Sequence, residues 1–154
     1  MSVSLSSLTT REAIADALYR CLLGLDTGDF AMFKSAWLAE DPDTSFVIGD
    51  TTTVGFDNIA ESLYKRIAAL DTTHFTTNIR IDLKDGSDEA SLTSYSLAQH
   101  YRAGEGLKRE GQQLLTGGIY YVDLKEDKGD GLWKVKKWTL KFLWSEGDMS
   151  IVGR

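Results

Sequence analysis

The chain has 154 residues, 42% of them hydrophobic and 26% charged, which is the composition of a soluble domain with a single sizeable core. Its net charge of −6 argues against nucleic acid or an anionic membrane surface as a partner, since both require a basic face. Cys21 is the only cysteine, so no intrachain disulfide can form, and no apolar run approaches the roughly 20 residues that span a bilayer.

Residues 1–10 are rich in Ser and Thr but lack the basic and long apolar stretches of a signal peptide, so a cytoplasmic protein is expected. Thr9-Thr10-Arg11-Glu12 has the spacing of a capping box. Ile14, Ala17, Leu18, Cys21, Leu22 and Leu25 then recur at helical period, predicting a helix from about Thr10 to Leu25. Cys21 reads as a small buried hydrophobe on that helix rather than as a nucleophile. Asp26 closes the helix, where the negative end of the helix dipole disfavours a carboxylate; another interaction must hold it there.

Asp29 reads as the cap of a short second helix carrying Phe30, Phe33, Trp37 and Leu38. Ser45–Ile48, Gly49-Asp50 and Thr51–Val54 read as strand, turn and returning strand. A third helix opens at Gly55 and places Ile59, Leu63, Ile67 and Leu70 on one face. From Thr73 the period changes to 2. Strict alternation puts His74, Thr76 and Asn78 on one face of the strand and Phe75, Thr77 and Ile79 on the other. Further strands are expected over 89–103, 108–124 and 132–144, with Gly117-Gly118 as a bulge or kink. Three helices followed by a four-stranded meander predict an α+β fold, with a curved sheet wrapping the helices around a closed-ended pocket. One domain over 1–154 is expected, with residues 1–8 and 146–154 as flexible tails.

The order of Leu25-Asp26-Thr27-Gly28-Asp29, the short helix and strand, Gly55-Phe56-Asp57-Asn58-Ile59, Thr72-Thr73-His74, the meander and Gly131-Leu132-Trp133-Lys134-Val135 resembles the SnoaL-like branch of the nuclear transport factor 2-like superfamily. The resemblance extends over about residues 9–144. Within that branch the chain is most similar to scytalone dehydratase and its relatives. This resemblance implies a cone-shaped α+β barrel, three N-terminal helices packed in a strongly curved, mostly antiparallel sheet, and a buried Asp/His/His pocket working without a cofactor. It places the family's aspartate at Asp26, its histidines at His74 and His100, and its Trp-Lys pair at Trp133-Lys134. The chain departs from the family at Leu25, where a tyrosine stands in scytalone dehydratase, and near Phe46–Gly49 and Gly118, where a tyrosine and an asparagine are missing. These are the groups that hold the substrate's carbonyl and leaving hydroxyl, so scytalone itself is not the expected substrate.

Strand parity gives the trio independent support. His100 shares its strand face with Ser94, Ser96 and Ala98, while Tyr95, Leu97 and Tyr101 point the other way. Histidines facing a pocket would thus have small or polar companions, and the greasier outer face predicts a homodimer. A neutral imidazole is a good base near pH 7, and a carboxylate orients it and stabilises its protonated form. His100 is expected to pair with Asp26, with His74 as a second proton carrier. One carboxylate and two imidazoles also form a facial metal set, but the spacing is not that of a metal site, and neither metal nor cofactor is expected. Tyr19, seven residues before Asp26 on the same helix face, Asn78, Thr116, Tyr120 and Trp133 are the candidate substrate-binding residues. The expected activity is that of a cofactor-free dehydratase, isomerase or cyclase acting on a small hydrophobic or aromatic, polyketide- or terpenoid-like ring in secondary metabolism. The alternative is a non-catalytic ligand-binding or dimerisation module.

Overall fold

The computed structural model describes residues 2–154. Helix α1 (Thr10–Thr27) starts in the expected capping box: the Thr9 hydroxyl accepts from the Glu12 N–H, and the Glu12 carboxylate accepts from the Thr9 N–H. It ends at Gly28, whose φ of 67° suits a residue without Cβ. Asp29 accepts from the Met32 N–H and caps helix α2 (Phe30–Ser35). The two helices meet closely at Gly24, where a Cβ would lie 2.6 Å from the Phe33 backbone nitrogen. Arg20, almost fully buried, ties this pair to the sheet by donating to Asp16, to Ser35 and to the Trp133 carbonyl.

Strands β1 (Ser45–Ile48), β2 (Thr51–Val54), β3 (Asp71–Leu83), β4 (Glu89–Tyr101), β5 (Gln113–Glu126) and β6 (Trp133–Gly147) form one sheet in the order β2-β1-β6-β5-β4-β3. All neighbours are antiparallel except β1 and β6, which run parallel. The expected meander is therefore four strands of a six-stranded mixed sheet, because the early β1–β2 hairpin adds on beyond β6. Between β2 and β3, α3 (Phe56–Ile59) passes through a π-helical turn at Ala60–Tyr64 into α4 (Lys65–Ile67). The helices cover the inner sheet face around a core that includes Ile14, Leu18, Phe33, Trp37, Val135 and Trp138. The fold is α+β, and among the described residues no helix is long and apolar enough to cross a membrane.

Three register irregularities shape the sheet. Gly117 pairs with Trp144 and Gly118 with Phe142, which leaves Leu143 as an extra residue on β6 opposite the two glycines. A second extra residue, Lys136, lies nearer the start of β6, where Asp123 pairs with Lys137 and Leu124 with Val135. The third changes the expected site. Thr77 pairs with Tyr95 but Arg80 with Thr93, so β3 carries one residue more than β4 across this step. Asn78 sits there at φ 55°, and the strand's parity inverts. His74 and Thr76 turn inward before the bulge, and Ile79, Ile81 and Leu83 turn inward after it.

The chain ends fall short of the expectation at one side. Residues 2–8 are largely exposed. Residues 146–154, expected as a flexible tail, instead complete β6 and form a 3-10 turn at Met149–Val152 whose Ile151 and Val152 are buried. Arg102 fastens this turn through Asp148 and Ser150.

Candidate active site

The start of β3 answers the question posed by Asp26. Its Oδ1 accepts from the Thr72 hydroxyl at 2.8 Å and from His74 Nδ1 at 2.6 Å, and its Oδ2 accepts from the His74 backbone N–H at 2.8 Å. Three donors from one strand thus compensate the unfavourable helix terminus. Burial alone would raise the Asp26 carboxyl; the His74 ring, the His74 backbone N–H and the Thr72 hydroxyl outweigh it and hold the group below the ordinary aspartate value.

His100 belongs to the next strand, where Thr72 is its register partner and Ala98 that of His74. The two rings therefore meet diagonally, with centroids 5.3 Å apart and planes at 89°. Nδ1 of His100 lies 3.1 Å from the Leu114 carbonyl oxygen of β5, which can only accept, so this nitrogen carries a proton. Burial and then the neighbouring His74 ring hold His100 below the ordinary imidazole value of 6.5, against the opposing pull of the Leu114 carbonyl and Asp26. The pairing differs from the expected one: His74, not His100, is bound to Asp26. Both rings spend Nδ1–H on the protein, and in each neutral ring Nε2 keeps its lone pair.

Both histidines line a cavity of about 210 Å³ between the helices and the inner sheet face, larger than the roughly 150 Å³ void that takes up benzene. Its walls are mainly apolar, with Leu25, Trp37, Phe46, Trp138 and Phe142 among them; the hydroxyls of Ser96, Thr116 and Tyr120 are the polar exceptions nearest in register to the histidines. Burial pushes the Tyr120 phenol up, with the Ser96 hydroxyl opposing it, so it remains a neutral donor. Burial likewise pushes up the Cys21 thiol, which keeps this cavity-lining sulfur protonated.

Residues 6–139 match the SnoaL-like domain family. The chain belongs to the SnoaL-like family. This SnoaL-like chain is 46% identical over 155 residues to the terrestric acid biosynthesis cluster protein E of Penicillium crustosum, covering 100% of its own length and 97% of that protein. A scytalone dehydratase-like protein of Novosphingobium aromaticivorans superposes with a TM-score of 0.73 at 21% identity, over 90% of this chain and 87% of that one. The type 3 hexachlorocyclohexane dehydrochlorinase LinA of Novosphingobium barchaimii does so with a TM-score of 0.69 at 22% identity, over 91% and 90%. At such identities these two structures share the nuclear transport factor 2-like fold.

Of the substrate-binding candidates, Thr116 and Tyr120 line the SnoaL-like cavity and three do not. Tyr19 is 42% exposed on α1; Asp26 owes its burial to β3 reaching over the helix end, so sharing its helix face does not lead inward. Asn78 is exposed in the β3 bulge, where the alternation that aligned it with His74 breaks. Trp133 is buried at the start of β6, where its carbonyl accepts from Arg20, and lies off the cavity. Val152, Arg66 and Arg154 line the cavity without having been expected. The adjacent Ile151-Val152 pair was the available signal for the first; nothing in the local pattern marks the arginines. Among the described residues no group of three or more His, Cys, Asp or Glu is placed to hold a metal ion.

Proposed function

We propose that this SnoaL-like domain is a cofactor-independent dehydratase, isomerase or cyclase of secondary metabolism, acting on a small cyclic substrate by proton transfer through His74. The observation that carries this reading is the 2.6 Å contact of His74 Nδ1 with Asp26, on a ring that also lines the cavity. Asp26 fixes the Nδ1–H tautomer, so Nε2 is the base. It removes a proton from the carbon beside a carbonyl, and Asp26 stabilises the imidazolium formed. In a dehydration, the imidazolium returns that proton to the departing hydroxyl, which leaves as water, and His74 is neutral again. Returned to a different carbon, the same proton completes an isomerisation.

His100, held neutral by its surroundings, acts as an acceptor that orients a substrate hydroxyl through Nε2. Tyr120, Ser96 and Thr116 supply donors for the carbonyl oxygen, in place of the family tyrosines missing at Leu25 and near Phe46–Gly49. The relative named for a terrestric acid biosynthesis cluster supports secondary metabolism as the setting. The test is a panel of cyclic β-hydroxyketones followed by NMR in D₂O, read for water loss and for solvent deuterium at the α-carbon. Turnover by the wild type and its loss in folded His74→Ala and His100→Ala variants is expected. Binding without turnover, with affinity but no rate changed by His100→Ala, would identify a ligand-binding module instead.

We further propose a second copy of the chain as the partner of the outer sheet face. Phe75, Leu97, Gly117 and Trp144 form one register row across β3–β6, next to a row holding Tyr95 and Ile119. Phe75, Tyr95, Leu97, Tyr121, Leu143 and Trp144 are all at least 40% exposed. An antiparallel sheet facing water normally shows polar side chains there. The β4 and β5 positions of these rows are uncharged, and the charges nearest them, Lys141 of β6 and Arg80 of β3, stand at the row ends, where a copy turned about a two-fold axis can keep them apart.

A further inference from the structure

The charged side chains that line the cavity have one sign. Among the described residues Arg66 and Arg154 line it and no Asp, Glu or Lys does; Asp26 stands behind His74. This occurs in a chain with 23 acidic and 17 basic residues. Arg20 has Asp16 and Arg102 has Asp148; among the described residues Arg66 and Arg154, like Arg11, Arg80 and Arg109, are in no ion pair, and of these five only Arg66 and Arg154 line the cavity. Both arginines are exposed while both histidines are withdrawn, so the cations mark the outer end of the cavity and the proton-transfer groups its inner end.

Each arginine is held in place without its charge being neutralised. Arg66 follows the π-helical turn, a local distortion common where a helix serves a site. Its Nη1 donates to the Val152 carbonyl at 3.5 Å, and its guanidinium lies 3.6–3.7 Å from where a Cβ on Gly153 would be. Arg154 lies over the Phe142 ring, with 5.8 Å between the guanidinium carbon and the centroid. A planar guanidinium with unused N–H donors matches the two oxygens of a carboxylate, and two of them beside an apolar chamber match a carboxylate on an apolar body.

We infer that the substrate is an organic acid whose carboxylate is bound at the mouth by Arg66 and Arg154, which orients its ring toward His74 and His100. This rests on the proposed proton-transfer reading for the position of the reacting end, but the binding preference itself requires no turnover. The test is calorimetric titration of the full chain with 3-phenylpropanoate and with 3-phenylpropanamide, which differ in charge and little in shape. The carboxylate should bind roughly tenfold tighter at low salt, and the preference should shrink as salt is added. Arg66→Gln combined with Arg154→Gln should remove the preference and leave amide affinity unchanged, whereas Arg66→Lys, which keeps the charge should the Gln variant loosen the C-terminal turn, should retain part of it. Carboxylate binding that is undetectable, or no tighter than that of the amide, overturns the inference, as does a preference surviving in the double Gln variant. His74→Ala should keep the preference, so acid binding by a wild type that turns over no substrate, or activity that survives in His74→Ala, would fault the proton-transfer reading alone.

Discussion

Asp26→Asn changes one atom's chemistry and leaves the shape of the site intact. Of the three donors that meet Asp26, the His74 backbone N–H has no alternative role and requires the carboxamide oxygen at the Oδ2 position. The new NH₂ then occupies the Oδ1 position, facing the Thr72 hydroxyl, which can accept, and His74 Nδ1. Nδ1 can accept only by giving up its proton, so His74 is driven into the Nε2–H tautomer and its base is lost. All contacts survive as neutral hydrogen bonds, and the loss of charge assistance over three of them costs about 1–3 kcal/mol of stability, or about 2–4 °C in Tm per kcal/mol for a domain of this size. Activity should fall roughly 10⁴-fold, as when the same change inverts the tautomer in a Ser-His-Asp triad. The assay is long-range ¹H–¹⁵N NMR at a pH where both rings are neutral; only two rings contribute, because the chain has two histidines. The wild type should show two Nδ1–H rings and Asp26→Asn one of each kind. An Nε2–H His74 in the wild type, or an unchanged tautomer in the variant, would refute the reasoning.

The remaining predictions concern pH, packing and assembly. Asp26 is held below its ordinary value of 3.8, so its contribution is complete above that pH and is lost as pH falls through the lower folded value; urea midpoints should show a steeper acid limb in the wild type than in Asp26→Asn. His100 is held below 6.5, and the unfolded chain therefore takes up its proton first. The neutral ring's contribution is complete above 6.5 and declines as pH drops toward the folded value, and His100→Gln should flatten that part of the curve. Gly24→Ala drives a Cβ against the Phe33 backbone, which no rotamer change relieves, and a loss of about 1–3 kcal/mol is expected by chemical denaturation. Leu97→Lys places a charge in the centre of the outer apolar row and should convert a dimer to a monomer in sedimentation equilibrium at micromolar concentration. A wild-type monomer under those conditions would remove the second copy from consideration.

Local signals in the sequence foretell the structure where local physics decides it. The Thr9–Glu12 capping box, the Asp29 cap and the alternation of β4 all appear as expected, the last with Ala90, Leu92, Ser94, Ser96, Ala98 and His100 buried in turn. What escaped depends on partners distant in the chain. The β3 bulge is visible only against β4, so strict alternation carried Asn78 to the wrong face. The choice between two histidines for one carboxylate depends on the diagonal offset between strands, which places His74 over the end of α1 and His100 against β5. The 3-10 turn at Met149–Val152 is too short for any periodicity, and its Ile151 and Val152 are buried by joining a core built from residues distant in the chain, while Arg66 and Arg102 donate to it from elsewhere.

The extra residue in β3 also bears on how this chain can diverge. Upstream of it the strand serves proton transfer, and downstream it serves cohesion between sheet and helices. A one-residue deletion between Thr77 and Arg80 would cancel the offset, and then either His74 or the set of Ile79, Ile81 and Leu83 would be forced toward solvent. Substitutions can therefore retune the pocket end and the greasy end separately, so a descendant could exchange its substrate while its scaffold stays untouched. Changes in length are closed to this stretch, and a relative that lost the offset would have to surrender either its chemistry or its fold.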